Sequence, residues 1–284
     1  MNILITGCNG QLGNELRLIE KNYPQHTFFN TDVNELDITD AEAIGRFVSS
    51  NSIDVIINCA AYTAVDKAES NSGLCRTLNA EAPAYLAEAV AKRNGRMIQV
   101  STDYVFDGTK HTPYVETDTP CPDSVYGKTK LDGEKAVMLA CPDAMIIRTA
   151  WLYSSFGNNF VKTMMRLGKE KEQLNVIFDQ IGTPTYARDL AVAIMTAVEQ
   201  GIVPGIYHFS NEGAISWYDF TKAIHRLSGI STCHVRPIHT SEYPTPASRP
   251  HYSVLDKTKF KQTYNIEIPY WEDSLAECIT ILNK

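Results

Sequence analysis

The opening of this chain constrains it most. A short apolar run from Asn2 to Thr6 leads into the loop G-C-N-G-Q-L-G, and then into N-E-L-R-L-I-E-K with helical periodicity. Strand, glycine loop and helix in that order turn backbone N–H groups and a helix N-terminus toward one point, where a pyrophosphate can sit. The glycines are Gly7, Gly10 and Gly13, spaced G-x-x-G-x-x-G. Gly7 suits a tight turn, Gly10 a close approach of phosphate, and Gly13 close packing of helix on strand. A turn that merely needs positive φ would leave the same pattern.

The alternation then repeats. A second strand, His26 to Thr31, ends at Asp32, 19 residues past the last glycine. An acid there can accept from the adenosine ribose hydroxyls, and its charge favours NAD over NADP; an aspartate in a turn reads identically. A helix over Asp40 to Asn51 carries Ala43, Ile44, Phe47 and Val48 on one side. Asp54 to Cys59 is apolar enough for a parallel strand covered on both faces. It runs into A-A-Y-T-A-V-D, where Ala60 and Ala61 let a flat ring or sugar approach the backbone. Asn79 is expected to open an amphipathic helix with Leu86, Ala89 and Val90 on its apolar face. The strand Met97 to Val100 delivers Ser101, Thr102 and Asp103 at its carboxyl end, the edge at which open α/β sheets bind ligands. With no hairpin signals, the alternation predicts an α/β fold built on a doubly wound parallel sheet.

Downstream lies D-S-V-Y-G-K-T-K. If Tyr126 to Lys130 is helical, the two side chains share a face about one turn apart. An ammonium beside a phenol favours the phenolate and lowers its pKa. Bringing a phenol from about 10 to near neutrality takes roughly 4 kcal/mol, within reach of an adjacent cation in a dry site. Alone, Y-x-x-x-K is common and fits a surface helix equally well. Beside a dinucleotide loop and a strand-end hydroxyl it reads as a proton-donating site.

Composition removes other function classes. A net charge of -7 argues against broad contact with nucleic-acid phosphates. The longest apolar run, near Val55 to Tyr62, is too short to span a bilayer, and M-N-I-L-I-T-G lacks the basic flank and apolar core of a signal peptide. The seven cysteines are scattered without C-x-x-C, so neither a disulfide framework nor a zinc site is expected, and the compartment expected is a reducing cytoplasm. The histidines show no metal-ligand spacing, so no metal is expected.

Taken together, T-G-x-x-G-x-x-G, a Ser/Thr ending a central strand and Y-x-x-x-K resemble the extended short-chain dehydrogenase/reductase family. Within it, S-T-D-Y-V-F-D-G, Y-G-K-T-K-L-D-G-E-K, R-T-A-W-L-Y, G-N-N-F-V-K-T-M, D-Q-I-G-T-P-T and above all Y-P-T-P-A-S-R-P-H-Y-S-V-L-D are similar to the dTDP-4-dehydrorhamnose reductase branch. The resemblance covers Met1 to about Trp271. It implies a Rossmann-like NAD(P)-binding domain over 1–150 that carries the catalytic residues. It also implies a mainly substrate-binding α/β lobe over 151–284, with some segments returning to the first domain. By the same resemblance, Tyr126 would protonate the sugar C4 oxygen, Lys130 would bond the nicotinamide ribose and tune the tyrosine, and Thr102 would bond the carbonyl, with Asp103 beside it on the substrate. Gly10, Gln11 and Leu12 would line the pyrophosphate, Asp32 the ribose, and Asp37 with Ile38 the adenine. Ala61, Tyr62 and Thr63 would follow the cofactor, Val100 would sit near the nicotinamide, and Trp151 would pack on the sugar. The implied cofactor is NADPH or NADH, the implied partner a dTDP-sugar, and the implied product dTDP-L-rhamnose; a homodimer is compatible with this.

In the last third, helices are expected at Asn159 to Lys169, Ala187 to Glu199 and Ser216 to Leu227, the last capped by Ser216, with strands at Ala144 to Thr149 and Gly205 to Ser210. The proline-rich segment Tyr243 to Pro250 cannot pair as a central strand. It carries Arg249, a candidate for the substrate diphosphate, although a surface arginine reads equally well. Trp217, Tyr218 and Phe220 suit core and rim packing better than a base-stacking platform. The path of 111–123, with three prolines, is unreadable. Two rival readings stay open, a non-catalytic regulatory subunit and a nucleotide-sugar epimerase or dehydratase. A dehydratase would need an acid/base pair after the strand-end hydroxyl, and only Asp103 stands there, followed by Tyr104.

Overall fold

The computed structural model describes all residues, Met1–Lys284. Five strands come first, β1 (Asn2–Thr6), β2 (Thr27–Thr31), β3 (Val55–Asn58), β4 (Arg96–Thr102) and β5 (Met145–Thr149). With Gly205–His208 they form one six-stranded sheet in the order β2, β1, β3, β4, β5, Gly205–His208. Every neighbouring pair is parallel. The order reverses between β1 and β3, and there the carboxyl ends of the strands leave a crevice.

Successive residues of a strand point to opposite faces, so a strand buried on both sides must be apolar throughout. Ile3, Ile5, Val55, Ile57, Ile98 and Ile147 pack on one side, against α1 (Gln11–Ile19) and residues such as Leu190 and Ile194 from a later helix. Leu4, Ile56, Met97 and Ile146 pack on the other, against α2 (Ala41–Ser50), Leu86 and Val90, and Val137. The first-half expectations are met within a residue or two, the usual scatter of element ends. The exception is Asn79. It opens no helix but sits buried inside a continuous helical stretch that starts after α3 (Val65–Ala68) and a short turn, and runs from α4 (Ser72–Arg76) through a π-turn, Thr77–Glu81, into α5 (Ala82–Ala91). The apolar period of Leu86, Ala89 and Val90 begins after Asn79, but the backbone is already helical before it and runs through it as a π-turn.

The second half adds α6 (Val125–Ala140), α7 (Phe160–Glu170), α8 (Ala187–Gln200), α9 (Trp217–Leu227), α10 (Thr258–Tyr264) and α11 (Trp271–Leu282). A separate core of Val161, Met165, Phe220, Ile224, Leu275 and neighbours lies under the parallel pair Gln173–Ile177 and His234–Ile238. By contrast, α8, α10 and Gly205–His208 belong to the central sheet and its packing. The segment 111–123 becomes legible here: Tyr114 bridges to Leu255 and stacks on Phe106, and Lys110 pairs with Asp118. No helix is long and apolar enough to cross a membrane.

One buried carboxylate ties α6 to the sheet. Glu134 accepts from Arg148 Nε at 2.9 Å and Nη2 at 2.6 Å, and from Ser101 Oγ at 2.5 Å. Arg148 and Glu134 are 1% and 2% exposed, so neither charge has water as an alternative partner. Removing one partner of such a pair strands the other charge. Glu134→Ala is therefore expected to destabilise the fold by about 3–5 kcal/mol, and adding Arg148→Met should restore much of the loss. Urea unfolding midpoints check both; a Glu134→Ala midpoint at the wild-type value would contradict this account.

Candidate active site

The carboxyl ends of β2, β1, β3, β4 and β5 line one cleft of about 780 Å³. At β1 the glycine loop turns beneath it. Gly7 has φ +67°, and a Cβ there would stand 2.8 Å from the Ala60 backbone at the end of β3. A Cβ on Gly13 would meet Gly7 O at 2.4 Å and Cys8 Cα at 2.5 Å, so α1 reaches the strand end only with glycine at that position. Gly10 is the N-cap of α1 and brings no side chain to bond the first-turn N–H groups. Together these open a backbone cradle at a helix N-terminus, the arrangement that suits a diphosphate.

Of the residues expected in the site, Gly7, Gly10, Gln11, Leu12, Gly13, Asp32, Asp37, Ile38, Ala61, Thr63, Val100, Thr102, Asp103, Tyr126, Lys130 and Trp151 all line this cleft. Sheet order spreads them along it, with Asp32 after β2 at one end and Thr102 and Trp151, after β4 and β5, toward the other. Asp32 accepts from the backbone N–H of Asn9 at 3.1 Å, which ties the second strand end to the glycine loop. Tyr62 and Arg249 are not on the lining. The backbone of Tyr62 is held at both ends by Asn79, which accepts from its N–H at 2.8 Å and donates to its carbonyl at 3.1 Å. Arg249 makes a two-pronged pair with Asp66, at 3.0 and 2.8 Å, and that pair lowers the Asp66 carboxyl from its ordinary value.

Tyr126 stands in the first turn of α6, whose N-terminus is fixed by Ser124 Oγ accepting from Gly127 N at 3.1 Å. Its ring meets Tyr104 edge-on, centroids 5.5 Å apart. One turn on, Lys130 Nζ donates to the Val100 carbonyl at 2.7 Å. Thr102 Oγ1 donates to Asp103 Oδ1 at 3.0 Å and accepts from Tyr104 N at 3.2 Å. The spacing argument thus brings tyrosine, lysine and threonine to one wall.

The electrostatic expectation is overturned. Burial raises the Tyr126 phenol above its usual value; the Thr102 hydroxyl opposes the shift, and Lys130 is not among its causes. Lys130 is itself pushed down to about 8 by burial, against the opposing charge of Glu134. Lys130 keeps its charge near neutrality, but its ammonium is directed to the Val100 carbonyl and does not lower the phenol. The phenol therefore holds its proton firmly. Asp103 is pushed up to about 6, chiefly by burial, and its Oδ2 is buried without a partner.

Sequence reasoning missed three contributors. Asn79 bonds the 60–63 turn from inside a helix, where a buried polar residue was the available signal. Tyr104 lines the cleft beside Tyr126. Trp217 also lines it, stacked on Trp151, although its helical spacing looks like core packing.

The Asp103 shift has a definite sign. A carboxyl whose folded pKa lies above its unfolded value costs stability as pH rises through that window. Between about pH 4 and pH 7 the wild type should lose up to about 3 kcal/mol relative to Asp103→Asn, which cannot ionise. Urea denaturation of both proteins across that range measures it, and parallel pH profiles would refute it.

The comparisons with known proteins fit this geometry. The family model described as the RmlD substrate binding domain matches residues 1–284. The dTDP-4-dehydrorhamnose reductase of Aggregatibacter actinomycetemcomitans is 42% identical over 285 residues, 96% of each chain. The crystal structure of a dTDP-4-dehydrorhamnose reductase from Clostridium acetobutylicum superposes with a TM-score of 0.96 at 44% identity, covering 100% of both chains. That of the Bacillus anthracis dTDP-4-dehydrorhamnose reductase, solved with NADP, gives 0.95 at 38% identity over 99% of each. This chain belongs to the dTDP-4-dehydrorhamnose reductase family, an oxidoreductase family whose shared model is the RmlD substrate binding domain.

Proposed function

We propose that this chain reduces the 4-keto group of dTDP-4-dehydro-L-rhamnose to give dTDP-L-rhamnose, using NADPH or NADH. The observation that carries the reading is that Thr102, Tyr126 and Lys130 stand on the wall of the same cleft as the Gly7–Gly13 cradle. The cradle fits a dinucleotide because Gly10 caps α1 with no side chain over the first-turn N–H groups, while Gly7 and Gly13 let loop and helix close on the strand ends. Gly10, Gln11 and Leu12 hold the diphosphate, Asp32 the adenosine ribose, and Asp37 and Ile38 the adenine end. Ala61, Thr63 and Val100 line the way to Lys130. When bound, the reduced nicotinamide supplies the hydride that the ketone needs.

The rest is done by this chain's own groups. Thr102 turns its hydroxyl from Asp103 to the keto oxygen and fixes its position. Tyr126 gives its phenolic proton to that oxygen as negative charge develops on it. A phenol held protonated by burial is loaded for this step, and the charge it acquires is met by Lys130 one turn along α6. Asp103 orients the sugar beside the reacting carbon, and Trp151 covers the ring. Arg249, engaged with Asp66, shapes the rim rather than binding phosphate directly.

The epimerase reading uses the same residues but requires no net consumption of reduced cofactor. Mixing purified protein with NADPH or NADH and dTDP-4-dehydro-L-rhamnose should bleach the absorbance of the reduced nicotinamide in proportion to sugar added. No bleaching with either cofactor would sink the proposal. Tyr126→Phe should cut kcat by at least about 100-fold while cofactor affinity stays near wild type. A Tyr126→Phe enzyme that turns over normally would remove tyrosine as the proton donor.

A further inference from the structure

We propose that Trp217 is a positioning residue for the sugar: by stacking on Trp151 it fixes that indole in the cleft wall. The proposal rests on the reading of Trp151 as the residue that covers the sugar, and explains what holds it there.

Trp151 leaves β5 with φ +47°. This left-handed backbone is a true outlier for a bulky side chain, and it persists only where surroundings over-determine it. Three constraints do so. The Trp151 carbonyl accepts from Thr185 N at 3.2 Å. A Cβ on Gly182 would stand 2.6 Å from the indole Cε2, so only glycine leaves room for the ring. Finally, Trp217 lies against Trp151 with ring centroids 3.5 Å apart and planes 10° from parallel. The pairing of Ile181–Gly182 with Ile215–Ser216 brings the second and third constraints to one place.

Aromatic pairs left to themselves choose offset or edge-on arrangements, not a close sandwich. The stack is therefore imposed by where α9 begins. That start is firmly set: Ser216 Oγ accepts from Asp219 N at 3.0 Å, and Asp219 Oδ2 accepts from Ser216 N at 3.0 Å. Phe160 packs on Trp217, centroids 4.5 Å apart, so the ring cannot swing away. Both tryptophans line the cleft. Without the Trp217 ring, Trp151 gains free space and the wall loses its single shape.

The test uses the indole N–H signals of isotope-labelled protein, one for each of the three tryptophans, assigned with Trp151→Phe and Trp271→Phe. In Trp217→Ala the Trp271 signal should stay and the Trp151 signal should shift and broaden; Trp217→Phe should restore it largely. In steady state, Trp217→Ala should raise KM for the keto sugar about tenfold while kcat and cofactor KM move less than about twofold. An unmoved Trp151 signal in Trp217→Ala, or equal rises in both KM values, overturns the proposal. If the wild type consumes no reduced cofactor with this sugar, the functional reading falls, while the indole signals still decide whether Trp217 holds Trp151.

Discussion

Everything in the site hangs on the carboxylate of Glu134. Tyr126 and Lys130 belong to α6, whereas Thr102 and Val100 belong to β4, so the proposed proton donor and carbonyl anchor are carried by different elements. Helix-on-sheet packing alone defines such a relation loosely, because apolar contacts are non-directional. Glu134 makes it directional by bonding Ser101 on β4 and Arg148 on β5 at once. Lys130 adds a second tie to β4 through the Val100 carbonyl, one turn toward the N-terminus of α6. Between them they fix the helix in both rotation and height.

The wall these ties hold together is buried, and burial governs the protonation of its groups. Three ionisable groups on the wall shift in the direction that burial dictates, each toward its neutral form: Tyr126 and Asp103 upward, Lys130 downward. A simple picture in which lysine turns tyrosine into a phenolate does not fit this arrangement, since burial favours the protonated phenol and Lys130 is not among the causes of its shift. In the proposed reaction that proton would leave only as negative charge appears on the keto oxygen. The cost is borne as unsatisfied polar atoms, Asp103 Oδ2 and Arg148 Nη1 among them, which the apolar packing on both faces of the sheet must offset.

Most of the sheet was legible because a strand buried on both sides must be apolar, and a 3.6-residue period must follow it. The glycine loop was legible because only glycine tolerates the turn at Gly7 and the contact at Gly13. What spacing could not show is which polar groups would find each other across the fold. Arg249 looked free for phosphate, but its partner Asp66 lies in the first half of the chain. Asn79 looked like the start of a helix because local pattern carries no sign of a π-turn, and its partner is the Tyr62 backbone. Trp217 looked like packing because stacking on Trp151 depends on a strand pairing two residues long. In each case the missing information was long-range.

The two halves of the molecule are registered by the helix that forms the cradle. The N-terminus of α1 faces the cleft, but its flank carries Glu15, fully buried, which accepts from Ser154 Oγ at 2.6 Å and Arg188 Nε at 3.1 Å. One turn earlier, Gln11 accepts from Asn159 Nδ2 at 2.9 Å, and Asn159 also caps α7. The helix whose N-terminus forms the glycine-loop cradle therefore also anchors the 152–159 segment that follows Trp151. A buried carboxylate with two donors resists sliding, since any shift leaves a charge unpaired in a region without water. The glycine loop and the cleft wall around Trp151 are thus tied into one frame through α1, which fixes the spacing at which the proposed reaction would bring cofactor and sugar together.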